Sequence, residues 1–119
     1  MALIEDLAAR TFAARDAAHR AHWKTASYSA HQALGALYEA LPDLIDEIVE
    51  VYQGTFGLLQ PFEVHCGAVA NIVRFLEDEA AWVADNRDEI ANGSTAVQNL
   101  IDGLIAAYRR AIYKLKELA

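Results

Sequence analysis

Apolar positions recur along the chain three and four residues apart, in four separate stretches, which is the spacing of one face of a helix. The first stretch covers residues 2–23. It sets Ile4, Leu7, Ala8, Thr11, Ala14, Ala18 and His22 on one side, with Glu5, Arg10, Arg15 and Arg20 largely elsewhere. The second is expected over 29–53. Ser29 and Gln32 open it as a capping box, and Leu34, Leu37, Tyr38, Leu41, Ile45, Ile48 and Tyr52 make its stripe before Gly54 stops it. Pro42 removes one of its backbone hydrogen bonds and predicts a kink near Tyr38. The third starts near Pro61, a good first-turn residue. It carries Val69, Ile72, Val73, Leu76, Ala80 and Val83, and ends by Asn92-Gly93, or earlier at Asp85-Asn86-Arg87-Asp88. The fourth opens with Thr95 and Gln98 and has the cleanest stripe, from Val97, Leu100 and Ile101 through Tyr108 to Leu115.

Four amphipathic helices without a linker or repeat predict one all-α domain over 1–119, a four-helix bundle. Residues 54–60 alone separate the second and third stretches, and seven extended residues reach at most about 25 Å. A 25-residue helix is about 37 Å long. The expected link is therefore atypically short, and an antiparallel hairpin is the easier connection.

Composition narrows the function. With 55% apolar residues the chain can bury one core, and a formal charge of −7 without a basic tail disfavours nucleic acid. Arg109-Arg110, Lys114 and Lys116 suit the negative end of a helix dipole. A single cysteine allows no internal disulfide, which fits a reducing compartment. No signal peptide and no apolar run of roughly 20 residues is present, so the expectation is a cytoplasmic protein, or a virion protein if phage-encoded, away from membranes. Cys66 is expected in the core, and Trp23 and Trp82 as packing anchors. The tyrosines are read as boundary residues, and Asp43 and Glu47 as a solvated face. His19 is expected to be exposed, and adjacent His65 and Cys66 diverge too far on a helix to share an ion.

Four residues carry the candidate chemistry: His22, His31, Asp46 and Glu50. Asp46 and Glu50 are one turn apart among Leu44, Ile45, Ile48 and Val49, so both carboxylates share a helix face and could hold one cation. His31 precedes Asp46 by fifteen residues, roughly 22 Å along a helix. One subunit therefore cannot close a metal shell, whereas two antiparallel copies about a twofold could. The site would then take His22 and His31 from one chain and Asp46 and Glu50 from its mate. Mixed imidazole and carboxylate donors suit iron, or zinc in its place, better than magnesium or calcium.

His22-Trp23, then His31, then Asp46-x-x-x-Glu50 resembles the Dps-type mini-ferritins over roughly residues 18–54, and is also similar to short ferritin-like proteins of tailed bacteriophages. The resemblance implies a ferritin-like bundle, Fe(II) oxidation and iron storage by a ferroxidase between twofold-related subunits, and a homo-oligomer of up to twelve copies. Four features depart from that family. Gly35 stands where it has a further acid, the loop between the histidines is shorter, the basic DNA-binding tail is missing, and residues 54–60 are short for its long crossover between the second and third helices. The competing expectation is a non-enzymatic helical assembly or virion-associated structural protein with a degenerate metal site. A third is a module that binds a partner through Thr55-Phe56-Gly57-Leu58-Leu59.

Overall fold

The structure, a computed structural model, describes residues 3–118 as four helices: α1 (Ile4–Lys24), α2 (Tyr28–Phe56), α3 (Ile72–Ala91) and α4 (Thr95–Glu117). The expected all-helical bundle is present; a helix start at Ala2 falls outside the described residues. Polar side chains set the ends. The Asp6 carboxylate accepts from the Leu3 N–H at 2.8 Å, and Ser27, Asn71 and Ser94 cap α2, α3 and α4. The capping boxes expected at Ser29 and Thr95 are displaced by two residues and one residue to Ser27 and Ser94. α2 runs unbroken through Pro42 and past Gly54, and stops at Gly57, where φ is 111°. α3 runs through 85–88 without a break and ends on left-handed Asn92, followed by Gly93 at φ 84°.

The connection between α2 and α3 differs most from expectation. It occupies residues 57–71, fifteen residues without helix, rather than seven. Its course is fixed by two hydrogen bonds. The Gln60 N–H donates to Glu5 Oε2 at 2.8 Å near the start of α1, and Arg20 Nη2 donates to the Gly67 carbonyl at 2.9 Å near its end. The segment therefore travels the length of α1, parallel to it. Fifteen extended residues reach up to about 50 Å, whereas the same residues coiled into helix would span only about 22 Å. The need to cross the bundle overrides the helix-starting tendency of Pro61.

After this crossover α3 starts at the same end as α2. α1 packs on α2 and α3, and α4 packs on both of them from the opposite side, so every strongly packed neighbour is antiparallel. One long crossover is the connectivity that ferritin-like bundles use, and it hosts many unrelated roles. The longest dimension, 44 Å, matches α2, which is about 43 Å at 1.5 Å per residue. Leu7, Leu34, Leu41, Ile45, Ile48, Leu76, Ile101 and Leu104 fill the core. Among the described residues no helix is long and apolar enough to cross a membrane.

The core also holds polar groups that the apolar pattern conceals. Tyr108, read as a boundary residue, is fully buried. It lies near Thr11, whose hydroxyl donates to the Leu7 carbonyl at 2.7 Å. Burial holds the phenol well above its ordinary pKa. Glu79 is buried beside it and accepts from Arg10 Nε at 2.9 Å, and the Arg10 guanidinium lies 4.3 Å over the half-buried ring of Trp82. This pair ties α1 to α3.

Burial raises the Glu79 pKa above 4.5, and Arg10 opposes the rise. The charged form therefore costs stability in the fold. That cost is absent below the ordinary pKa and complete above the raised one. In Glu79→Gln the titration is gone, so the variant's stability relative to the native protein should climb as pH rises above the ordinary carboxylate range and level off once the buried carboxyl has ionised. Urea unfolding across that range checks it, and a flat difference would contradict the assignment.

Candidate functional site

His22 and His31 meet at the end of the α1–α2 hairpin, joined by a reciprocal clasp. α1 ends at Lys24, so the carbonyls of its last turn lack helical partners. The His22 carbonyl accepts from His31 Nδ1 at 2.9 Å, and the His31 carbonyl accepts from His22 Nδ1 at 2.7 Å. A carbonyl can only accept, so both rings carry a proton on Nδ1, and in the neutral ring Nε2 is then the nitrogen that holds the lone pair. The rings stack 3.6 Å apart at 20°. Both are half-buried, and neither Nε2 has a partner among the described residues.

Gly35 makes this packing fit. A Cβ on Gly35 would lie 3.1 Å from His22 Cε1 and 3.3 Å from its Nδ1. The residue that stands in place of a further acid thus provides the surface on which the His22 ring rests.

The clasp extends into an aromatic ladder. His19, expected to be exposed, is half-buried and stacks on Tyr38 at 3.9 Å and 7°, with Trp23 tilted against it at 4.5 Å. The signal was available in the sequence: His19, His22 and Trp23 are three and four apart and share a helix face. Trp23 is 69% exposed rather than an anchor.

The acids lie elsewhere. Asp46 and Glu50 point outward on the exposed side of α2, fifteen and nineteen residues beyond His31, about 22 and 28 Å along the axis. They share that helix with Glu39, Asp43 and Glu47 and with no Lys or Arg. The apolar flanks read beside them turn inward: Ile45 and Ile48 are core residues. Within one chain the histidines come together and the acids do not join them. Among the described residues no three metal-type side chains form a group.

Cys66 sits exposed in the crossover rather than in the core. Desolvation, then the neighbouring Asp16 carboxylate, raise its thiol pKa, so its nucleophilic thiolate is disfavoured. His65 faces Glu63 at 3.3 Å instead.

A family model covers residues 22–115, which include the clasp, Gly35 and the acidic face of α2. The chain belongs to a family of unknown function, DUF5856. This membership corrects the mini-ferritin resemblance: the family that accounts for these residues is DUF5856, and no Dps or ferritin family matches. The chain is also similar to the "uncharacterized 14.6 kDa protein in mobD-ri intergenic region" of Enterobacteria phage T4. The two are 46% identical over 39 residues, 33% of this chain. The matched part is 30% of that relative's length. No solved structure matches this DUF5856 member.

The clasp has a testable sign. On an open helix Gly→Ala gains up to about 1 kcal/mol. At Gly35 the new methyl would press on the His22 ring at 3.1 Å and push it by a few tenths of an ångström against its 2.7 Å hydrogen bond, so Gly35→Ala should lower stability, by about 1 kcal/mol. A chemical-denaturation gain in its place would show that the clasp does not hold the hairpin.

Proposed function

We propose that this protein binds a transition-metal cation, iron or zinc, in a site shared between two copies. His22 and His31 come from one chain and Asp46 and Glu50 from the other. The observation that carries the reading is the tautomer of the two imidazoles. Metal-binding histidines donate their other ring N–H to a carbonyl or carboxylate, which orients the ring and raises its basicity. Both rings here spend Nδ1–H on a backbone carbonyl and keep Nε2 free. The donor set of two neutral nitrogens and two carboxylates is a borderline one. The carboxylates must come from a second copy, because about 22 Å of helix separates them from the imidazoles of their own chain. Antiparallel pairing of two α2 helices would bring Asp46 and Glu50 of each beside the first turns of the other, which carry no carboxylate before Glu39. Iron held this way would add a redox couple; zinc would not. The oxidase and storage roles rested on the family resemblance and are not carried forward.

A second reading is a non-enzymatic helical assembly protein, virion-associated if the likeness to the phage T4 protein extends to its setting. The exposed rings of Trp23 and Tyr28, 69% and 76% accessible, favour it. Metal content and mass separate the two. Incubated with Fe(II) under anaerobic conditions or with Zn(II), then desalted, the native protein should retain about one ion per chain and shift towards a dimer. Asp46→Asn/Glu50→Gln, changed only at exposed positions, should lose most of that metal while keeping its thermal midpoint. Equal metal content in both proteins would overturn the metal site, and assembly without metal would favour the second reading.

A further inference from the structure

We infer that the end of the bundle where the crossover rejoins α3 binds a small amphipathic anion, a straight-chain carboxylate with an apolar tail. Two adjoining clefts, of about 350 and 310 Å³, share Ala21, Lys24 and Val69. Each is within the size range of small-molecule sites, roughly 300–1,000 Å³. The smaller cleft is lined by Leu34, Val69, Ile72, Val73 and Leu115, drawn from α2, the crossover, α3 and α4. The larger cleft carries Arg20, Lys24 and Trp23.

Charge selects the occupant. The chain carries −7 overall, yet no carboxylate lines either cleft, and both titratable groups at the rim are cations. Lys24 has no ion partner among the described residues. Arg20 donates through Nη2 to the Gly67 carbonyl at 2.9 Å and to Asp16 at 3.0 Å, while its Nε is buried with no hydrogen-bond partner. The Arg20 Nε is sealed from the cleft, so the free Lys24 ammonium is the group that would meet a carboxylate head, with the hydrocarbon tail on the adjoining apolar side chains. A neutral lipid would leave the cations unused, and a small hydrophilic anion would leave the recess unfilled. This site is independent of the metal reading.

The probe is octanoate, titrated into the full-length protein by calorimetry and by Trp23 fluorescence, with 1-octanol and acetate as controls. Octanoate should saturate at one per chain, octanol should bind about tenfold more weakly, and acetate should not bind. Lys24→Gln should weaken octanoate about tenfold, towards the octanol value. Ala70→Trp, at an exposed position lining the smaller cleft, should abolish binding with the thermal midpoint unchanged. The proposal fails if octanoate does not saturate, or if octanol binds equally well. It also fails if Ala70→Trp binds octanoate like the native protein. If Ala70→Trp unfolds, Lys24→Gln decides: undiminished octanoate binding there overturns the site.

Discussion

Two imidazoles and two carbonyls close the turn between α1 and α2, and much of the molecule's character follows from that closure. Three residues, 25–27, link the helices, too few to screen the carbonyl ends of α1 by themselves. The His31 Nδ1–H satisfies one of those ends, and the His22 ring returns a bond into the first turn of α2. The same bonds fix both tautomers. The rings and the turn thus form one structural latch, and Gly35 makes it sterically accessible.

The second constraint is distance. Once α1 and α2 form a hairpin, α2 ends at the far side of the bundle, and the chain must return along α1 before α3 can start beside the beginning of α2. The crossover is tied at Glu5 and Arg20 and leaves most of its own side chains exposed, among them Cys66 and Leu58. Its return also creates the cleft next to Lys24, which no pair of helices would form without it.

Charge is arranged in contrasting ways on the two sides. α2 turns five uncompensated carboxylates to solvent. α3 turns one, Glu79, inward, where Arg10 and the field near Tyr108 must accommodate it. Of the three acids Glu77, Asp78 and Glu79, only Glu79 stands at core spacing between Leu76 and Val83, and that spacing marks this inner pair.

By itself, the sequence determined the number and kind of elements: four apolar stripes of helical period, Asn92-Gly93 as a stop, and a histidine pair set nine residues apart around a turn. These are local properties, fixed by side-chain spacing and by backbone preference within a few residues. Only the tertiary structure decided that residues 57–71 stay extended, that Gly35 serves His22, that Tyr108 is buried and that Trp23 is not. Each of those depends on which surfaces meet and how far the chain must reach between them, and a spacing pattern read along one segment contains neither.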